Sequence, residues 1–218
     1  MHRPYVIVNC AMSVDGKIAL PSRKQLRISS DEDIARMYKL RNECDAVLVG
    51  IETVLSDDPK LTVNPKYVKN PKQPLRVVLD SKCRIPIDSL VLNNAAKTLV
   101  ITTVGNRKKI NGKHIEIVEC KSDHEGQIDL NYALNLLHQK GINKLLVEGG
   151  GTIIWSFLKN KLVDELFVYI GLCIVGGKNS PTIADGVGSK NESELIYLKI
   201  IDINRFGDGI LTHYELIK

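Results

Sequence analysis

Glycine bunches once in this chain, in Lys144-Leu-Leu-Val-Glu148-Gly149-Gly150-Gly151-Thr152-Ile-Ile-Trp155. An apolar strand pattern runs into residues without a Cβ, where backbone can approach a ligand closely, and a helical pattern follows whose first N–H groups carry partial positive charge. That arrangement suits a phosphate or pyrophosphate. The spacing is neither GxGxxG nor a P-loop with its Lys-Ser/Thr, so neither of those nucleotide sites is implied. A tight strand-to-helix turn is the plainer reading, and one glycine would satisfy it; three in a row favour phosphate.

A second candidate is Arg76-Val-Val-Leu79-Asp80-Ser81-Lys82-Cys83-Arg84, an apolar strand ending in a polar, cationic step. At strand ends in dinucleotide sites an acid selects a free ribose 2′-hydroxyl, and a cation with a hydroxyl accepts a 2′-phosphate. Ser81, Lys82 and Arg84 therefore read as 2′-phosphate ligands despite Asp80, against an equally weighted reading as a solvated loop. A third is Arg41, which returns to the side of Ile34, Met37 and Tyr38 seven residues after Ile34. A cation on such a stripe snorkels to water or meets an anion, such as a substrate phosphate. Thr53-Val-Leu-Ser56-Asp57-Asp58-Pro59-Lys60-Leu61-Thr62-Val63-Asn64 reads as the turn at a helix end, and Ser13-Val14-Asp15-Gly16-Lys17 as a turn after the first strand.

The elements that must hold these residues alternate short β-branched runs with helical stretches, the signature of an α/β sheet with crossovers. Strands are expected at 4–11, 46–49, 75–79, 98–102, 114–118 and 144–147, near-continuous apolar runs as befits interior strands. Longer strands follow at 165–173, 195–204 and 210–217, the last two joined by Arg205-Phe206-Gly207-Asp208-Gly209 as an antiparallel hairpin. Ser30 with Asp33 opens a helix reaching Glu43; Asp129 opens another that Gly141 closes; a third covers 152–159. Segments 64–74 and 176–192 read as loops.

With 218 residues, 44% hydrophobic and 25% charged, the chain reads as one ordinary globular domain, 1–218. No apolar run is long enough to span a bilayer and no signal peptide pattern opens the chain, so membrane association is not expected and the location reads as cytoplasmic. Five scattered cysteines (Cys10, Cys44, Cys83, Cys120, Cys173) match neither a disulfide framework nor a zinc site and read as reduced, mostly buried residues. The net charge is +5. Clusters at Lys66, Lys69, Lys72, Arg76, Lys82 and Arg84, and at Arg107, Lys108, Lys109 and Lys113, carry no interleaved aromatics. They suit a solvated loop or a small anion better than nucleic acid.

Taken in order, SVDGKIA, the LRN at Leu40–Asn42, GIETVLSDDPKLTV, LDSKCR, VEGGG and the closing GDGI resemble the reductases of riboflavin biosynthesis. These are the C-terminal half of the bacterial bifunctional deaminase-reductase and its stand-alone archaeal and fungal relatives. The resemblance runs the length of the chain. It implies a dihydrofolate-reductase-like fold: a mixed, mostly parallel sheet flanked by helices, with antiparallel C-terminal strands. No HxE with a later PCxxC occurs, so the zinc deaminase portion is not expected.

The implied activity is the NADPH-dependent reduction of the ribosyl group of 2,5-diamino-6-(ribosylamino)pyrimidin-4(3H)-one 5′-phosphate to a ribityl chain, with NADH as a further donor to consider. The resemblance implies that Thr53, Asp57, Ser81, Gly149, Gly150, Gly151 and Thr152 hold the cofactor, with Lys82 and Arg84 near its 2′-phosphate. Gln25, Arg41, Leu61 and Glu148 would line the substrate, Arg41 gripping the 5′-phosphate. Glu148 and Asp57 are the carboxylates best placed for catalysis, by binding and orientation before proton transfer. Asn9 stands where bacterial members usually carry a first-strand lysine, and Asn64 where they carry a second phosphate-binding arginine, which Lys66 or Arg27 would replace. A homodimer is the usual family assembly; the strand at 165–170 suits either a subunit interface or the sheet interior. Rival readings are reduction of another pterin or pyrimidine on the same fold, and a non-enzymatic nucleotide- or RNA-binding module.

Overall fold

A computed structural model describes residues 2–24 and 26–217. Gln25, a candidate substrate residue, lies outside the described residues. Among these, nine strands form one mixed, mostly parallel sheet in the order β5-β4-β3-β2-β6-β1-β7-β9-β8. The elements run β1 (Tyr5–Ser13), α1 (Asp31–Glu43), β2 (Ala46–Gly50), α2 (Ile51–Asp57), β3 (Leu75–Leu79), β4 (Thr98–Thr103) and β5 (Ile115–Cys120). They continue as α3 (Leu130–Gln139), β6 (Lys144–Gly149), α4 (Gly151–Lys159), β7 (Glu165–Gly171), β8 (Leu198–Phe206) and β9 (Gly209–Leu216). The chain divides into two compact units: one holds the residues up to Tyr5 and Tyr38–Leu146, the other Val6–Met37 and Val147 onward.

In the first unit β2, β3, β4 and β5 pair in parallel. Every residue of β2 and β4 is buried, as parallel strands covered on both faces require. Asp129 caps α3 as expected, its Oδ1 accepting from the amides of Asn131 (2.9 Å) and Tyr132 (3.1 Å). The paired acids do end a helix: Asp58 sits at φ +42° as the C-cap of α2 and its N–H donates to Val54 O at 3.0 Å. Arg76 departs from its assignment to a surface cluster. It is fully buried in β3, with its guanidinium donating to Asn93 Oδ1 at 2.9 Å and Ala96 O at 2.6 Å.

In the second unit β1 pairs in parallel with β7, and β9 joins β7 to β8 by antiparallel pairing. The strand at 165–170 is therefore interior, between β1 and β9, because the hairpin β8–β9 covers it. Their turn shortens to Gly207-Asp208, with Gly207 at φ +60°, and β8 starts three residues later than its apolar pattern suggests. Ser30 caps α1, its Oγ accepting from Asp33 N at 3.2 Å. The expected stripe of α1 is only half right. Ile34, Met37 and Tyr38 are half-buried, while Asp33, Leu40 and Arg41 are the buried positions, so this helix packs with polar groups as well as apolar ones. All five cysteines are free; four are buried and Cys173 is exposed. No described helix is long and apolar enough to cross a membrane.

Candidate functional site

The three glycines serve three different purposes. Gly149, last in β6, has φ +131°, a conformation that disfavours a Cβ, and a Cβ built there would meet nothing within 4 Å. Open space thus lies beside the backbone. Gly150, joined to Gly149 by a cis peptide bond, is the N-cap of α4, and its carbonyl accepts from the amides of Ile153 (2.9 Å) and Ile154 (3.0 Å). The amides of Gly151 and Thr152 precede the first intrahelical donor and point out of the helix end. Gly151 answers to packing: a Cβ there would lie 2.4 Å from Thr182 O and 3.1 Å from Asp185 N.

The turn over Gly151 is well fastened. Asp185 Oδ1 accepts from Thr182 N (3.0 Å) and Thr182 Oγ1 (2.7 Å), and Gly186 rests against the Trp155 indole. The Ser13-Val14-Asp15-Gly16-Lys17 turn fastens the same segment from the other end of the sequence. Asp15 accepts from Ser13 Oγ (2.6 Å), Val175 N (3.0 Å) and Gly176 N (2.7 Å), which hold its carboxyl down at a pKa of about 2. Lys17 Nζ donates to Ser180 O at 3.2 Å. Segment 176–192 is a loop, as its composition suggests; its docking on the start of α4 was encoded in Gly151 and in the pair Thr182 and Asp185.

In the first unit, Thr53 and Asp57 lie on α2, directly after β2, and Ser81, Lys82 and Arg84 lie directly after the neighbouring parallel β3. The carboxyl ends of adjacent parallel strands are where ligands meet open α/β sheets. Asp80 is turned away from this edge. It is fully buried, accepts from Ile85 N at 2.8 Å to close its own loop, and burial raises its pKa. Ser81 is half-buried and Lys82 exposed. Ser81 has its carbonyl gripped by Thr103 Oγ1 at 2.7 Å, and its hydroxyl reaches Gln127 Oε1 at 3.4 Å. Arg84 pairs with Glu52 of α2 at 2.7 Å; both side chains are largely exposed, a contact worth about 0–1 kcal/mol that an incoming phosphate can displace.

Arg41 does not snorkel. It is 9% exposed, donates to Thr62 O at 3.0 Å and lies 5.4 Å from the Tyr38 ring centroid. Leu61 is buried at φ +51°, a left-handed backbone unusual for leucine. Glu148, near the end of β6, is half-buried.

One polar constellation lies outside the sequence motifs. Arg36 of α1 donates to Asp33 Oδ1 from Nε (2.9 Å) and Nη2 (2.7 Å), and from Nη2 to Asn9 Oδ1 (2.6 Å). Its guanidinium lies 5.7 Å from the Phe167 ring, which stacks on His213 at 4.1 Å. Asn9 and Asp33 are buried. The signal was an asparagine inside the apolar run of β1, since a buried amide demands a partner. Asn9, which stands where bacterial members usually carry a lysine, thus has a cation beside it from the helix. Arg27 pairs instead with Asp31 on the surface.

Comparison with known proteins decides the family. The RibD C-terminal domain profile matches residues 4–212. The chain belongs to this family. A 2,5-diamino-6-ribosylamino-4(3H)-pyrimidinone 5′-phosphate reductase of Archaeoglobus fulgidus is 44% identical over 215 residues, which cover 95% of each chain. A protein of that name from Methanothermobacter thermautotrophicus is 40% identical and covered to 99%. Acinetobacter baumannii RibD has the same fold, with a TM-score of 0.85 at 24% identity over 99% of this chain. The chain spans 58% of that longer protein. The riboflavin biosynthesis reductase Rib7 of Saccharomyces cerevisiae gives a TM-score of 0.76 at 20% identity and is covered to 90%. The sheet is thus the dihydrofolate-reductase-like one of RibD reductase domains.

Proposed function

We propose that this RibD-family chain uses NADPH to reduce the ribosyl side chain of 2,5-diamino-6-(ribosylamino)pyrimidin-4(3H)-one 5′-phosphate to the open ribityl chain, a step of riboflavin biosynthesis. The observation that carries this reading is the near end-to-end match to an archaeal reductase of that name, 44% identical. Each unit, taken by itself, carries groups that suit part of that cofactor. The outward amides at the start of α4 suit a pyrophosphate, the space beside Gly149 admits it, and Ser81 with exposed Lys82 offers a hydroxyl and a cation to a 2′-phosphate. NADH, lacking that phosphate, is the weaker donor.

When bound, the nicotinamide supplies a hydride to C1′ of the ring-opened ribosylamine, while a proton goes to nitrogen or the former ring oxygen. The protein's part is orientation and charge complementarity. Arg41, fixed by Thr62 O and Tyr38, grips the 5′-phosphate. Glu148 accepts hydrogen bonds from sugar hydroxyls, Asp57 and Thr53 on α2 hold the cofactor side, and Leu61 lines the substrate.

The test is loss of NADPH absorbance with the diaminopyrimidine nucleotide, with dihydrofolate as comparator. Turnover is expected only with the former, and Glu148→Gln is expected to lower kcat/KM about 10- to 100-fold. No turnover by folded protein would sink the assignment; a Glu148→Gln variant equal to the parent would remove that residue from the site.

We also infer that the working form is a homodimer joined through β8. This strand is last in the sheet order, its outer edge has no partner strand among the described residues, and it exposes Leu198, Ile200, Ile201 and Ile203. A second copy suits it. The bulge between Ile200 and Asp202 brings Lys199 and Asp202 to one face, so two antiparallel copies can set each Lys199 beside the other's Asp202. Ile203→Lys is expected to convert a dimer into a monomer by light scattering; a parent that is already monomeric overturns the inference.

A further inference from the structure

Segment 61–74 has no regular structure and three prolines, yet it is held like an element. The Gln73 carboxamide reaches back ten residues to imitate a strand partner: its Oε1 accepts from Val63 N at 2.8 Å and its Nε2 donates to Val63 O at 3.0 Å. Lys72 N donates to Asn42 Oδ1 at 2.8 Å, and the Lys72 ammonium meets Asp45 at 3.0 Å. Between these ties Tyr67 stacks on Tyr38 of α1, centroids 4.9 Å apart and planes 11° from parallel, with the Lys66 ammonium 5.2 Å from the Tyr67 ring.

Two of these fastenings, the Tyr67–Tyr38 stack and the Gln73 clamp on Val63, lead to Arg41. Tyr38, covered by Tyr67, is the ring beside the Arg41 guanidinium, and Thr62 O, which accepts from Arg41, is next to the Val63 that Gln73 clamps. Leu61 enters this stretch in its left-handed conformation and is buried, so the turn is held against its intrinsic preference by the contacts around it. A linker between α2 and β3 needs none of this. Immobilising a guanidinium forfeits rotamer freedom, and a site that does so before its ligand arrives binds more tightly for it.

We infer that Tyr67 and Gln73 are positioning residues that fix Arg41 for the substrate's phosphate, and so set the preference for a phosphorylated over an unphosphorylated riboside. This rests on the reading of Arg41 as the phosphate ligand.

Steady-state kinetics with the diaminopyrimidine nucleotide, and with the same riboside lacking its phosphate, test it on full-length Tyr67→Leu, Tyr67→Phe, Gln73→Leu and Arg41→Met. Tyr67→Leu and Gln73→Leu are expected to raise KM for the phosphorylated substrate about tenfold. They leave kcat, KM for NADPH and KM for the unphosphorylated riboside as in the parent, and Tyr67→Phe restores the parental values. If either variant fails to fold, the other decides. Equal changes in both KM values, or none, overturn the positioning role. If Arg41→Met raises KM for the nucleotide while the loop variants do not, only the positioning inference falls. If Arg41→Met also leaves that KM unchanged, the phosphate reading itself falls.

Discussion

Replacing Arg76 with leucine is expected to cost about 3–5 kcal/mol of folding stability and, at this chain length, roughly 10 °C in Tm. The side chain is fully buried in β3. Its guanidinium donates to Asn93 Oδ1, Asn93 O and Ala96 O, with longer contacts to Lys60 O at 3.4 Å and Leu90 O at 3.5 Å. The same Asn93 Oδ1 also accepts from Ala95 N at 3.0 Å. One cation thus gathers the carbonyls of a loop that has no regular ladder to satisfy them. Desolvation lowers its pKa to about 10, which leaves it charged at neutral pH and indifferent to moderate acid. Leucine fills part of the space and takes the guanidinium donors away from Asn93 O and Ala96 O, and a buried acceptor without a donor costs its whole desolvation penalty. Arg76→Lys is expected to fall between, since one ammonium cannot span the set. Urea or thermal unfolding followed by circular dichroism measures this; an Arg76→Leu variant within 1 kcal/mol of the parent would show the network to be dispensable.

The second large effect is expected at the cofactor. In Gly151→Ala the new methyl lies 2.4 Å from Thr182 O, so either the 182–185 turn or the first turn of α4 must move. The turn resists, because Asp185 holds Thr182 twice and Ile18 N donates to Pro181 O at 3.0 Å. The start of α4 therefore yields, and with it the amides assigned to the pyrophosphate. A displacement of this order weakens an oriented contact about 100-fold, read as the Kd for NADPH by fluorescence titration, alongside a stability loss of about 1–3 kcal/mol from overpacking. A folded Gly151→Ala variant that binds NADPH as the parent does would remove the start of α4 from the cofactor site.

The sheet was legible because its strands are apolar on both faces. AVLVG, LRVVL and TLVITT admit few other readings, and Asp129 announced α3 through a cap that the structure contains. The boundaries of β8 were not legible, since an edge strand exposed along nearly its whole length carries no alternation to mark where pairing starts. Motifs told of chemistry more readily than of partnership. The glycine run, the strand-end Ser81 and Lys82, and Arg41 all stood out by residue type. That Arg84 is paired with Glu52, that Asp80 faces inward and that Arg76 is buried depended on contacts made across many residues. Asn9 shows the middle case. Its oddness within β1 was visible, whereas the guanidinium that answers it sits on a helix that the spacing alone could not orient.

The second unit is assembled from both ends of the sequence, with β1 and the first half of α1 separated from β7 by the whole of the first unit. Val6, Ile7 and Val8 must therefore find partners in the stretch Asp164–Val168, with Val6 and Asp164 158 residues apart along the chain. The contiguous stretch 38–146 can collapse in the meantime. The β1–β7 ladder is thus a contact of long sequence separation, which closes later in folding than the shorter-range pairings among β2, β3, β4 and β5.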